Sequence, residues 1–422
     1  MKTKAVRLYG KDDLRLEEFE LPAIKDDEIL AKVVSDSICM LSYKAAHQGA
    51  EHKRVPYDVA EHPTIIGHEF AGEIVEVGKK WREQFKPGDK FSIQPALTYE
   101  GGPVGVLSAP GYSYRYIGGD ATYVVIPAEV MEQGCLLPYK GEGFYPASLS
   151  EPLSCVIGAM HACYHTTPGS YVHAMEIKDG GKMALLAGVG PMGLACINYV
   201  LHREDRKPAL FVVTDIDQAR LDRAATLYTK EFAAVRGIDL RYVNTGDVED
   251  PASLLREISG GMGYDEVVVM APVPAVIAQA DEILAFDGCL NFFSGPGRAD
   301  FKAPLNFYNI HYASTHVVGT SGGNTDDMKE ALYYMGKGMD PAGLVTHIGG
   351  LNAVIDTTMN LPSIPGGKKL IYTHIDMPLT AIADFGKVGK PVYDALDAIC
   401  KAHNGLWSVE AEDYLLKHAE EL

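Results

Sequence analysis

Cys39, His68, Glu69 and Glu151 are the side chains of this sequence whose types could do chemistry together. In "PTIIGHEFAGEIVEVG", residues 63–78, His68 and Glu69 stand side by side within an apolar run. Imidazole and carboxylate groups are costly to bury there unless something pairs them. Cys39 follows a strand-like stretch in "SDSICMLSYKAA", and Glu151 opens "SEPLSC" at the start of a helical pattern. Thiolate, imidazole and carboxylate are all zinc ligands, and three protein ligands beside an open position is the arrangement of a catalytic zinc. The separations, 29 residues from Cys39 to His68 and about 80 more to Glu151, are too wide for a local zinc-finger motif. Taken singly, the residues also read as a buried thiol, a satisfied core histidine and a helix-start carboxylate.

A second constellation is "AGVGPMG", which sets Gly188, Gly190 and Gly193 in the G-x-G-x-x-G spacing, with Pro191 and Met192 between them. The spacing alone is weak, but here an apolar strand pattern precedes it and a helical pattern follows. Asp215 closes the next strand pattern, 22 residues past Gly193. Each part has a physical task in dinucleotide binding: the first glycine permits a tight turn, the second lets the backbone approach a pyrophosphate, and the third lets helix and strand pack closely. The helix N-terminus then meets the phosphate charge. A carboxylate at Asp215 would accept hydrogen bonds from the adenosine ribose and repel a 2′-phosphate, which favours NAD. Arg220 nearby would tolerate that phosphate and keeps NADP open.

The elements that must position these groups follow from periodicity. Short, partly alternating β-branched runs fill the first 130 residues: "KAVRLY", "LRLEEFEL", "EILAKVVSDSIC", "FAGEIVEVG", "DKFSIQP" and "ATYVVIPAEV". From about Leu97 to Gly119 a Gly- and Tyr-rich stretch reads as a long surface loop. "HQGAEHKRVPYDVAEHP" reads as an exposed loop carrying His47, His52 and His62. "LSCVIGAMHACYHT" is expected to be helical. Strand and helix patterns then alternate for about 140 residues, including "VIAQADEILAF" as a helix, and this means a parallel doubly wound sheet. "LNFYNIHY" reads as core or interface packing. After Asn324 mixed structure returns, ending in two amphipathic helical stretches.

The 422-residue chain is 47% hydrophobic and 22% charged, a composition that argues against extensive disorder. Its formal net charge of −18 disfavours nucleic acid and acidic membranes as partners. No apolar run reaches membrane-spanning length and the N-terminus has no signal-peptide pattern, so a cytoplasmic location is expected. The seven cysteines are scattered with no CxxC spacing, which fits reduced thiols.

Together "GHEFAGEIVEVG", "FKPGDKF", "ATYVVIP", "EPLSC", "AGVGPMG", "VVTDID" and "PAGLVTHIGGL…IPGGKKLIY" resemble the zinc-dependent medium-chain dehydrogenases/reductases. The resemblance is nearest the sorbitol/polyol dehydrogenase branch and covers most of residues 1–375. "SDSIC…SYKAA" and the Tyr-rich loop are similar to the L-sorbose-1-phosphate reductase subgroup. The resemblance implies an α/β architecture. A GroES-like, mostly-β catalytic domain would occupy residues 1–155, with 323–422 returning to it, and a Rossmann dinucleotide-binding domain residues 156–322. It implies one catalytic Zn2+ held by Cys39, His68 and Glu69, with Glu151 either a ligand or the holder of a zinc-bound water. "SIQPALTYEGGPVGVLS" has no cysteines for the family's structural zinc.

The implied activity is hydride transfer between NAD(P) and a secondary alcohol or ketone of a polyol or sugar phosphate, by a homodimer or homotetramer. The family's proton-relay hydroxyl is replaced by Leu41, and Ser42 stands where an aspartate usually orients the zinc-binding histidine. Glu69, Ser42, Tyr43 and Lys44 are therefore the candidate catalytic groups. Lys44, Arg54, Arg115 and Arg298 are candidate cations for a substrate phosphate. Two competing classes share the fold: a metal-free quinone or alkene reductase, and a non-enzymatic nucleotide-binding protein.

Overall fold

The computed structural model describes all 422 residues, which divide into two compact units. The first comprises residues 1–151, 324–336 and 340–422, and the second residues 152–323 and 337–339. The division falls inside the helix Ser150–Ala162, just after Glu151.

The first unit is built on an eight-stranded, mainly antiparallel sheet. Its centre is the strand Ile29–Ile38, "ILAKVVSDSI", in which only Lys32 escapes burial. That near-continuous burial, which takes in the polar Ser35, Asp36 and Ser37, follows from its position, because it pairs with Phe70–Val77, Tyr123–Ile126 and Lys368–Tyr372. The last pairing brings a segment more than 300 residues away in sequence to the end of the strand that leads into Cys39. A separate three-stranded sheet joins Lys2–Gly10, Asp13–Glu20 and Thr64–Ile65. The C-terminal helices Pro391–Ala402 and Val409–His418 bury Leu396, Cys400, Ala411 and Leu415 in one core with Leu370 and Tyr372. Within that core the Trp407 indole N–H donates to Tyr372 Oη (2.8 Å), and Tyr372 donates to Glu412 (2.7 Å).

The second unit holds a six-stranded parallel sheet. Its spatial order is Asp239–Asn244, Leu210–Asp215, Lys182–Leu186, Tyr264–Val269, Leu284–Phe292 and His316–Val318. Strand order reverses between Lys182–Leu186 and Tyr264–Val269, so the glycine turn lies at the carboxyl end of a strand bordering the switch point. No helix in either unit is long and apolar enough to cross a membrane.

Several expectations are corrected. The 97–119 stretch is a surface loop only over its first half; Ser108 to Tyr114 and Ile117 to Asp120 are buried. The glycines allow this: at Gly111 (φ +80°) a Cβ would sit 2.0 Å from the Gly67 carbonyl, so the loop presses directly on the backbone before His68. His52, placed on an exposed loop by its polar neighbours, is buried. "LSCVIGAMHACYHT" stops being helical at Ala162 and continues as the strand Tyr164–Thr166, and "VIAQADEILAF" breaks after Glu282 into the strand Leu284–Phe292. Both breaks fall at β-branched and aromatic residues that a neighbouring strand can pair, a tertiary opportunity that local pattern does not show. Of the two alternatives for "LNFYNIHY", core packing is ruled out and interface packing stays open, because Phe307, Tyr308 and Tyr312 are each more than 60% exposed.

Candidate active site

Cys39 is the N-cap of the helix Met40–Gln48, so the strand Ile29–Ile38 delivers it to the sheet end and the helix start fixes its direction. His68 and Glu69 follow Gly67, whose φ of +90° turns the chain between Thr64–Ile65 and the strand Phe70–Val77. A side chain at Gly67 would collide with the carboxylates of Asp36 and Asp120, at 2.9 Å each. Cys39, His68 and Glu69 thereby form a compact trio: Sγ, a ring nitrogen and a carboxylate oxygen all lie within 4.8 Å of one another.

His68 and Glu69 each have identifiable partners. His68 Nδ1 meets Ser42 Oγ (3.3 Å), and Nε2 meets the Tyr112 hydroxyl (3.2 Å). Burial pushes the His68 pKa down to about 4, so the ring is neutral and a nitrogen lone pair is available. Burial, with Glu69 next, pushes the Cys39 thiol up to about 12, so its ionisation would accompany cation binding. The Glu69 carboxylate is gripped by Lys368 Nζ at 2.5 and 2.6 Å, both side chains being buried. Burial opposes the charge on Lys368, but Glu69 and Cys39 outweigh it and leave the ammonium held above its ordinary range. The Glu69 amide donates to Asp36 (3.1 Å), and burial raises both Asp36 and its neighbour Asp120, the latter to about 8.

The donor set fits a zinc ion: one soft thiol, one neutral imidazole and one carboxylate converge from two segments, with a buried cation already balancing the carboxylate. Glu151 lies outside the 4.8 Å group, although its charge acts on Cys39, Tyr112 and Lys368. Ser42, a candidate proton carrier, is engaged with His68 Nδ1. Lys44 is half-buried on the same helix, and the Leu41 side chain is 40% exposed. Two residues were missed from sequence. Tyr112 sits in the stretch read as surface loop. Lys368 lies within "IPGGKKLIY", where only its place in the motif was visible.

In the second unit the glycines divide their tasks. A Cβ at Gly193 would lie 2.1 Å from the Gly188 carbonyl, so helix and turn touch there. A Cβ at Gly190 would meet nothing within 4 Å, so the backbone over that residue is open to a ligand. Gly190 is also the N-cap of the helix Pro191–His202, whose first turn, with Pro191 and Met192, leaves amide groups for an anion. Asp215 ends the adjacent strand, its Oδ1 accepting from the amides of Ile216 (2.9 Å) and Asp217 (3.1 Å). Arg220 is exposed on the following helix.

These two features, a thiol–imidazole–carboxylate centre in a mainly β unit and a glycine turn at the switch point of a parallel sheet, are what an alcohol dehydrogenase of the zinc-binding kind requires. Residues 25–135 match the alcohol dehydrogenase GroES-like domain family, and residues 209–336 match the zinc-binding dehydrogenase family. The chain belongs to this zinc-binding, GroES-like alcohol dehydrogenase family of oxidoreductases. Among its relatives, L-sorbose 1-phosphate reductase of Klebsiella pneumoniae is 51% identical over 421 residues, covering 100% of this chain and 98% of that one. Mannitol-1-phosphate 5-dehydrogenase of Aliivibrio fischeri is 50% identical over 418 residues, covering 98% and 97%. The solved structure of 2R,3R-butanediol dehydrogenase from Bacillus subtilis shares the fold, with a TM-score of 0.69 at 23% identity over 88% of this chain and 99% of that one.

Proposed function

We propose that the chain interconverts a secondary alcohol and a ketone on a hexitol phosphate or ketose phosphate, with NAD(P) as redox partner. The observation that carries this reading is the convergence of Cys39, His68 and Glu69. The full-length similarity to two enzymes named for hexitol and ketose phosphates supports the substrate class. One zinc per chain, held by these residues, would supply Lewis acidity toward the alcohol or carbonyl oxygen. Glu69, with Lys368 against it, balances charge at the centre, and Ser42 orients His68. Tyr112 and Lys44 remain as protein groups able to pass the alcohol proton to solvent. Glu151 tunes the centre by its charge from outside the trio. Gly188, Gly190 and Gly193 bind the pyrophosphate over the helix start, and Asp215 inclines the site toward NAD, with Arg220 exposed beside it.

The convergent trio disfavours a metal-free quinone or alkene reductase, which has no use for it. Self-association is supported by the strand His316–Val318, an edge with one neighbour, and by the exposed aromatic helix Phe307–Tyr312 just before it. The test is elemental analysis of purified protein together with a panel of hexitols, hexitol phosphates and their ketoses, run with both cofactors. Stoichiometric zinc and turnover of a phosphate ester are expected. Active enzyme without a stoichiometric transition metal would end this reading, and the loss of zinc and activity in a folded His68→Ala variant would support it.

A further inference from the structure

The chain carries a net charge of −18, so a dianionic phosphate ester is repelled by the molecule as a whole and needs a local cationic site to be held. Of the cations named from sequence, Arg298 is spent on Asp300 in a two-point pair at 2.6 and 2.9 Å, within the other unit. Arg115 is exposed beside Tyr116. Arg54 is placed differently. It is half-buried, forms no ion pair, and its Nη1 donates to the Leu107 carbonyl at 2.8 Å, which anchors one end of the guanidinium and leaves Nε and Nη2 without a protein acceptor. Its Cζ lies 5.9 Å from the centre of the Tyr112 ring, the ring whose hydroxyl reaches His68 Nε2 at 3.2 Å.

The platform under Arg54 is rigid. Its amide donates to His52 Nδ1 (3.3 Å), and its carbonyl accepts from Ser113 Oγ (2.6 Å). The His52 ring stacks on Tyr112 at 5.7 Å with 13° between planes. His52, buried and neutral, is the point at which the positive charges of Arg54, Lys53 and Lys44 are all felt. Lys53 is exposed and, like Arg54, forms no ion pair. A planar guanidinium with two unused donors, next in the chain to the exposed Lys53 ammonium, matches a phosphate monoester. Only one tyrosine ring separates it from the candidate metal ligand.

We propose that Arg54, with Lys53 beside it, binds the phosphate of the substrate, and that the Arg54–Tyr112–His68 stack sets the distance from that phosphate to the reacting centre. This rests on the polyol-phosphate reading above and assigns its specificity to a side chain. The 97–119 segment thereby has a role: it supplies both Leu107, which orients the guanidinium, and Tyr112, which spaces it.

The test uses the full-length zinc-loaded enzyme with mannitol 1-phosphate, mannitol and inorganic phosphate. Arg54→Gln should raise KM for mannitol 1-phosphate roughly 30-fold, with kcat changed far less, since the lost charge-assisted hydrogen bonds hold ground state and transition state alike. The preference for the phosphate ester over mannitol should collapse by the same factor. Inorganic phosphate should become a correspondingly weaker competitive inhibitor, and Arg54→Lys should restore part of both. Lys53→Glu, on an exposed side chain that cannot disturb folding, should raise the same KM about threefold or more. A wild-type preference for the ester that survives Arg54→Gln and Lys53→Glu, or a loss shared equally by mannitol, would overturn the subsite alone. Wild-type enzyme that turns over mannitol and no phosphate ester would overturn the functional reading and the subsite with it.

Discussion

Lys368 Nζ lies 2.6 Å from Glu69 Oε2, a buried ion pair between residues 299 positions apart. It ties the strand Lys368–Tyr372 to the start of Phe70–Val77 at the point where the candidate metal ligands emerge. Lys368→Met would leave the Glu69 carboxylate buried without its cation, at a cost of about 3–5 kcal/mol. Denaturant unfolding of the single variants and of Glu69→Gln/Lys368→Met should show the double variant losing clearly less than the two singles together. Simple additivity would mean that the pair does not act as a unit.

Glu151 offers a separable question, because it stands outside the trio while its charge acts on Cys39. Glu151→Gln is expected to retain stoichiometric zinc while kcat/KM falls about tenfold, the scale of a group acting on a metal through its neighbours. Cys39→Ala should lose the metal. Zinc analysis of the two variants side by side decides between ligand and remote charge; depletion in Glu151→Gln would make it a ligand.

Cofactor choice is expected to turn on Asp215. Asp215→Asn keeps an oxygen for the Ile216 and Asp217 amides while removing the charge that opposes a 2′-phosphate. The ratio of kcat/KM for NADP to that for NAD should rise roughly tenfold. If the ratio does not move, the ribose is not read at this position.

Stability should carry a pH signature from Glu412. Burial raises its carboxyl from 4.5 to about 7 despite hydrogen bonds from Tyr372, Phe144 and Tyr145 that favour the charged form. A carboxyl raised on folding is most stabilising when protonated. Its contribution is complete below about 4.5 and is lost as pH rises through about 7. Relative to Glu412→Gln, wild type should therefore lose on the order of 3 kcal/mol across that window, measured by denaturation at a series of pH values. A constant difference across the series would show that the Glu412 carboxyl has the same pKa in the folded and unfolded chain.

The parallel sheet of the second unit was legible because strand and helix patterns alternate and a glycine turn marks the first crossover; Gly193 proved tight and Gly190 open for the local reasons that the spacing encodes. The trio of the first unit was legible only as an ordered set of motifs, since residues 29 positions apart show no periodicity that would bring them together. What sequence could not reveal came from non-local packing. Alternating or aromatic runs such as "YHT" and "LAF" became strands because neighbours were there to pair them.

By itself the sequence determined residue chemistry, the order of the motifs and the local turns, because these depend on neighbours along the chain. Tertiary structure alone decided that Lys368 would neutralise Glu69, that a glycine-rich stretch would dive inward to set Tyr112 against His68, and that Arg54 would be held unpaired behind it. Those relationships depend on which distant segments share a sheet edge, and burial then converts their proximity into fixed charge and orientation.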